Sequence, residues 1–245
     1  MATVFWSTKG DGMAELPSRR LRRGAFAVLG ALLFFYPGTS SAQIHWDASA
    51  QLGVMKRVLS GRPSGAGNAG FGPVAQLTGH VALLPLVHVG GYFGHDISPL
   101  DGDAAARQIT FGGLRAKGML PWPRGSTRVW IFAGFGYAGV YAPSYQTSFT
   151  ITDGSGASAP HRVRVEGAGG GFFEVPFGFG ASYKFFKPWE LCAELGARAG
   201  FGHSGSVYEP PGPRVTVPGL ASQNATPAGL DRLAVGLTVG VLIDL

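Results

Sequence analysis

Cysteine is close to absent. Cys192 is the sole one in 245 residues, so no internal disulfide can brace the fold. Charge is scarce too, Asp, Glu, Lys and Arg making up 14% of the chain. With 45% hydrophobic residues the sequence is too apolar for a disordered tail. Long apolar runs are missing as well: none reaches the roughly 18 residues that a helix needs to cross a bilayer, which excludes a helical membrane protein. What is abundant is glycine, at 40 residues, with 17 prolines beside it. The glycines follow no G-X-Y period, so collagen is excluded and a β-rich chain with many close backbone approaches is favoured. Two classes remain, a soluble β protein and a membrane β-barrel.

Ser18 to Gln43 reads SRRLRRGAFAVLGALLFFYPGTSSAQ. Four arginines precede the apolar stretch Gly24 to Tyr36, and Pro37, Gly38 and a run of small residues follow it. This is the pattern of a secretory signal peptide, with Ser40 and Ala42 at the small-residue positions of a cleavage site. The expected division is therefore residues 1–42 as signal and 43–245 as the mature domain. Met13 is a second possible start that gives the signal an ordinary length. Removing the signal lowers the basic residues from 20 to 15 and the acidic ones from 14 to 12, so the net charge falls from +6 to +3. No stripe of Lys and Arg with interleaved aromatics survives in the mature chain, and nucleic acid is not expected as a partner.

The mature chain alternates apolar with small or polar residues, the period-two mark of strands with two unlike faces. Trp189 to Gly202 is the clearest case. Trp189, Leu191, Ala193, Leu195, Ala197, Ala199 and Phe201 fall on one face, with Glu190, Cys192, Glu194, Gly196, Arg198 and Gly200 on the other. Phe173 to Phe185 and Leu233 to Leu245 repeat it, and weaker versions occupy Trp46 to Met55, Val74 to Leu84, Leu86 to Gly94, Gln108 to Gly118 and Arg128 to Tyr141. The connections alternate in length. Short turns follow the second, fourth and sixth of these segments, and long Gly/Pro/Ser/Asp-rich stretches follow the first, third, fifth and seventh: Arg57 to Gly72, Asp96 to Arg107, Ala142 to Gly170 and His203 to Leu230. That is the arrangement of an even-stranded membrane barrel, with short turns at one rim and long loops at the other. Trp46, Trp122, Trp130 and Trp189 fall near the short-turn rim, and Tyr137, Tyr141 and Tyr145 near the opposite end, as two aromatic girdles.

On these residues the mature chain resembles the small eight-stranded outer-membrane barrels of OmpA/OmpX type. The resemblance implies an all-β, up-and-down transmembrane β-barrel in the bacterial outer membrane, with membrane lipid as surroundings. It also implies recognition of the closing segment Leu233 to Leu245 by the outer-membrane assembly machinery. The chain departs from the pattern in ending on Leu245 instead of an aromatic residue, and in carrying Pro176 inside a strand, where a bulge or a rim position is expected.

The faces choose between a soluble barrel and a membrane one. The polar faces carry too few charges to coat a water-soluble exterior, while the apolar faces are continuous Phe, Leu, Val, Trp and Ala, so lipid is the consistent solvent. Leu191, Leu195, Phe177, Phe179, Leu237 and Val239 should then point outward. An eight-stranded barrel has room inside only for its own side chains, and charges placed there must pair. The expected interior network is Glu174, Glu190 and Glu194 against Arg115, Lys117, Lys184 and Arg198. With Ile109 and Phe111 assigned to the lipid face, a bulge at Gly112-Gly113 is needed to turn Arg115 and Lys117 inward.

Little else in the chain carries chemistry. Two GxGxxG matches, Gly134 to Gly139 and Gly65 to Gly70, have no βα unit behind them. The six histidines show no metal spacing, and His80 and His88 are expected as a hydrogen-bonded pair in the lumen. His203, Ser204, Ser206 and Glu209, with His95, Asp96 and Ser98, fall near the long-loop rim. They lack the His-x-Ser spacing of lipid-deacylating barrels, since Gly205 stands where that serine belongs. No catalytic residue, metal or cofactor is expected. The sequence favours a non-enzymatic, porin-like envelope barrel with a structural or surface-interaction role, its surface partner unspecified. A rim enzyme acting on envelope lipids and a narrow diffusion pore are the alternatives.

Overall fold

The computed structural model describes residues 45–60, 69–99, 106–121, 125–152, 158–210, 214–216, 223–224 and 229–244. Residues 1–42, expected as a signal peptide, lie outside the described residues, as do Trp122 and Leu245. The described residues form twelve strands: β1 (Trp46–Ser60), β2 (Phe71–Leu84), β3 (Val87–Ser98), β4 (Arg107–Met119), β5 (Thr127–Ala142), β6 (Tyr145–Thr152), β7 (Ser158–Val165), β8 (Ala168–Phe186), β9 (Trp189–Ser204), β10 (Arg214–Thr216), β11 (Gln223–Asn224) and β12 (Leu230–Asp244).

Eight of them close a barrel in the order β1-β12-β9-β8-β5-β4-β3-β2, every pairing antiparallel. These are the eight alternating segments of the sequence. Closure leaves no barrel edge with unpaired backbone groups, which is what hydrocarbon demands of a spanning sheet. The period-two pattern settles the faces. Ile131, Phe179, Leu195, Leu237 and Val54 are lateral neighbours on five successive strands and form one apolar row around the outside. Leu191, Phe177 and Val239 are exposed on the same surface, so the exterior is the face that water would reject.

The lumen is packed through complementary volumes. Trp130 and Phe111 point inward, almost fully buried, against glycines on adjoining strands. A Cβ on Gly180 would fall 2.5 Å from the Trp130 ring, and one on Gly94 would fall 2.4 Å from the Phe111 ring. Inward glycine thus makes space for inward aromatics, which accounts for part of the glycine excess.

Four local expectations need correction. Ile109 and Phe111 do not face lipid: β4 runs against β3 and β5 in unbroken register, and Arg107, Ile109, Phe111, Arg115 and Lys117 all point inward with no bulge at Gly112-Gly113. Register shifts lie elsewhere, near Ala82–Leu84, Gly171–Phe173 and Lys184–Phe186, and at a bulge where Val58 pairs with Leu233 and Leu59 with Asp231, leaving Arg232 as the extra residue of β12. Trp130 is not part of a girdle but sits in the lumen, whereas Trp46 and Trp189 are outward as expected. Pro176 lies in mid-strand with its ring buried and no bulge; the β5–β8 ladder skips Gly134 and Phe135, the residues facing Val175 and Pro176, and resumes in the same register. The missing prolyl donor is accommodated by omitting a pairing step rather than by shifting the strand.

The long connections carry structure of their own. β6 and β7 form a hairpin, and β10 and β11 join it in a four-stranded sheet of order β11-β10-β7-β6. In the sequence both stretches read only as Gly/Pro/Ser/Asp-rich connections.

Candidate functional site

The lumen is filled by charge in layers. Buried there among the described residues are the acids Asp47, Asp96, Glu174, Glu190, Glu194 and Asp231 and the bases Arg57, Arg107, Arg115, Lys117 and Arg198. Charges taken from water at this density are tolerable only when paired and hydrogen-bonded.

Nearest the short-turn end, Asp47 of β1 accepts hydrogen bonds from Lys117 of β4, with Nζ at 2.8 and 2.7 Å from its two oxygens. His80 Nδ1 and His88 Nδ1 each lie 3.0 Å from the same carboxylate. Beside this cluster Arg128 of β5 holds Glu190 of β9, with Nη2 to Oε2 at 2.6 Å, and Ser182 donates to the same oxygen at 2.6 Å. Lys184 is only half-buried and reaches Glu190 at 3.9 Å and Asp244 at 4.0 Å.

In the middle, Arg115 of β4 meets Glu194 of β9 across the lumen in a two-point pair, with Nη1 to Oε2 at 2.9 Å and Nη2 to Oε1 at 2.5 Å. Trp130 Nε1 donates to Glu194 at 3.2 Å, and the Arg115 guanidinium lies 4.0 Å from the Phe132 ring centroid. One layer on, Arg198 of β9 donates to Glu174 of β8 at 2.6 Å and to Gln76 of β2 at 2.5 Å, and Tyr92 donates to Glu174 at 2.8 Å. Between these two layers lies a cavity of about 30 Å³ lined in part by Arg115, Glu194, Arg198 and Tyr92. That is room for about one water molecule and too small for a solute.

At the long-loop end Arg57 of β1 forms a two-point pair with Asp96 of β3, Nη2 to Oδ2 at 2.5 Å and Nε to Oδ1 at 3.2 Å. Asp231 lies 3.0 Å from Arg107 Nη2 and 3.8 Å from Arg57 Nη1. Gly202 and Gly205, with φ of 62° and 97°, take the left-handed backbone that glycine alone accepts readily and turn the chain back over the mouth. Val207 and Tyr208 are buried beneath that turn, and the Tyr208 hydroxyl donates to Asp231 at 2.6 Å. Burial first, and then the Asp231 carboxylate, push the Tyr208 phenol well above the ordinary tyrosine range.

The structure thus brings Glu194 to Arg115 and Glu174 to Arg198, and joins Glu190 chiefly to Arg128 rather than to Lys184. Lys117 serves Asp47. Asp47, Arg57, Asp96, Arg107, Arg128 and Asp231 belong to the same lumen and were absent from the expected set. Asp47 and Arg57 share the parity of Ser49 and Gln51 on the polar face of β1, so strict counting along that strand would have found them.

The rim residues do not assemble a nucleophile and a base. His203 Nε2 lies 2.9 Å from the backbone oxygen of Asp231 and its ring stacks on Phe172 at 5.1 Å between centroids. Ser206 is bonded with the Gly169 backbone, and His95 pairs with Thr110 at 2.9 Å. Among the described residues no group of three or more His, Cys, Asp or Glu has metal-ligand geometry.

No protein family and no curated protein matches the sequence. Among solved structures the chain is similar to the Neisserial surface protein A, at 10% identity and TM-score 0.46, covering 82% of this chain and 97% of that one. It is similar to a major outer membrane protein from Thermus thermophilus, at 12% identity and TM-score 0.45, covering 82% and 99%. It is also similar to Ail, the attachment invasion locus protein of Yersinia pestis, at 9% identity and TM-score 0.40, covering 81% and 98%. The barrel itself stands on this chain's own register: an even number of antiparallel strands, short turns at one end, long connections at the other and an apolar exterior, the build of a small outer-membrane barrel.

Proposed function

We propose that the protein is a non-enzymatic integral barrel of the bacterial outer membrane, closed to solutes and serving as a rigid mount for its extracellular sheet and loops. The observation that carries this reading is the Arg115–Glu194 pair with the Arg198–Glu174–Tyr92 layer beside it, which spans the lumen around a cavity of only about 30 Å³. Paired ions of this kind are the ordinary solution to burial and hold the strands at fixed separation. Loops raised on such a scaffold are where recognition concentrates. Closure of both layers argues against a diffusion pore, and the separate bonding of His203 and Ser206 argues against a rim hydrolase.

The test is reconstitution. The protein should fractionate with the outer membrane, run differently on gels before and after boiling, and give no resolved conductance in planar bilayers. Recovery as a soluble periplasmic protein refutes the membrane reading, and stable unitary conductance refutes the closed lumen.

A further inference from the structure

The extracellular sheet has two unlike faces. Residues opposed across an antiparallel ladder share a face, and Arg164 of β7 is opposed by Gln146 of β6 and Thr216 of β10. Arg162 and Arg214, two residues from these along their strands, lie on the same side. All three arginines are exposed, whereas Val163 and Val165 on the other side are buried. Among the described residues no carboxylate is within salt-bridge distance of any of the three, and the acid that shares their side is the exposed Glu166.

The position of this face is as informative as its charge. Arg164, Glu166 and Thr216 line a depression of about 390 Å³ together with Tyr141. Tyr141 projects from the outer surface of β5 along with Tyr137, both exposed on the side that carries Ile131 and Phe135. The arginine face is therefore continuous with the lipid-facing wall and begins where the aromatic girdle ends. Tyrosines of such a belt sit at headgroup level. At the same end of the barrel, on β1 and β12, Lys56 and Arg232 are also outward and exposed.

We propose that the face formed by Arg162, Arg164 and Arg214 binds the phosphate groups of an anionic glycolipid in the outer leaflet. Guanidinium groups hold phosphate by paired, charge-assisted hydrogen bonds, and a strand pair fixes their spacing more firmly than a loop would. The acyl chains of the same lipid would lie along the apolar wall below Tyr141. The proposal rests on the outer-membrane reading above and names the molecule that surrounds the barrel there.

The protein, expressed from its full reading frame and purified from membranes, is reconstituted into nanodiscs of zwitterionic lipid. These contain a small fraction of bisphosphorylated lipid A or of the same lipid stripped of phosphate. After detergent extraction, the lipid retained per protein is measured by mass spectrometry. The wild type should retain the phosphorylated form in preference, with the preference shrinking as salt is raised. Arg162→Gln, Arg164→Gln and Arg214→Gln should each lower retention, by about fivefold per arginine removed. The matching lysine variants should fall between wild type and glutamine. The boil-dependent gel shift reports folding and should be unchanged in every variant, since the three side chains are exposed. Equal retention of both lipids overturns the proposal and leaves the barrel reading intact. Arginine-dependent capture of soluble heparin without lipid discrimination also overturns it, in favour of an external polyanion. Failure of the folded wild type to enter any bilayer refutes the outer-membrane reading beneath it.

Discussion

Arg115 and Glu194 are 79 residues apart in sequence and lie on strands separated by two others around the barrel, yet their side chains meet in the lumen through two parallel hydrogen bonds. The pair is a crossbar between opposite walls. Backbone hydrogen bonds join each strand to its neighbours only, so lumen contacts of this kind are what resist flattening of the cylinder.

Glu194→Ala removes one partner and leaves the Arg115 guanidinium buried beside Phe132, at a cost on the order of 3 to 5 kcal/mol. The variant should unfold at a lower temperature in detergent, followed by the boil-dependent gel shift, while planar-bilayer conductance stays negligible. A rise in conductance with unchanged stability would make the pair a gate and transfer the protein to the pores.

Asp47 is the shared acceptor for Lys117, His80 and His88. Asp47→Ala strands an ammonium group in the lumen, whereas Asp47→Ala combined with Lys117→Met removes both charges at once. Breaking a buried pair costs far more than replacing it by apolar groups of similar volume. The double variant should therefore melt higher than Asp47→Ala alone. A double variant that melts lower than the single one would show that Lys117 stabilises the barrel through its contact with Trp130, 5.0 Å from the ring, more than through Asp47.

The barrel was legible because a half-lipid, half-lumen strand must alternate, and Trp189 to Gly202 does so without a break. The pairing of Glu194 with Arg115 was legible in part, since an inward acid with no base on its own strand has to reach across. Asp231 was hidden. Counting back from Leu233 assigns it to the lipid face, and only the extra residue Arg232 at the bulge turns it inward to Arg107 and Tyr208. Trp130 and Phe132 alternate with Ile131 and Ala133, so both faces of β5 look apolar and the pattern cannot say which is which. The sheet of β6, β7, β10 and β11 escaped because its strands interleave Arg, Ser and Thr with their apolar residues and have no uninterrupted apolar face to mark them.

Phe179 and Leu195 are lateral neighbours in the apolar row on the outside. An arginine placed at either position meets hydrocarbon, with a penalty of about 2 to 4 kcal/mol near the midplane that fades toward the interfaces. Phe179→Arg should lower the yield of folded protein in vesicles markedly, while the same substitution at Tyr141, beside the headgroups, should be close to neutral. Equal tolerance at both positions would mean that Phe179 does not contact lipid.

Tyr208 offers a test of the outer mouth by pH. Its hydroxyl donates to Asp231 beneath the turn at Gly205, and burial together with that carboxylate raises its pKa above the value in the unfolded chain. A group whose pKa is higher in the folded state stabilises fully below its unfolded pKa, which for tyrosine is about 10, and loses that contribution as pH climbs above it. Raising the pH from 9 to 11 should therefore lower the melting temperature of the wild type more than that of Tyr208→Phe, which has no proton to lose there. At pH 7, where the phenol is protonated in both states, Tyr208→Phe should be the less stable of the two by about 1 kcal/mol for the lost hydrogen bond. The comparison with Phe isolates this residue from every other group that titrates at alkaline pH, because those groups are common to both proteins. Parallel alkaline curves for the two proteins would mean that the turn does not seal the mouth and that Tyr208 titrates as if in water.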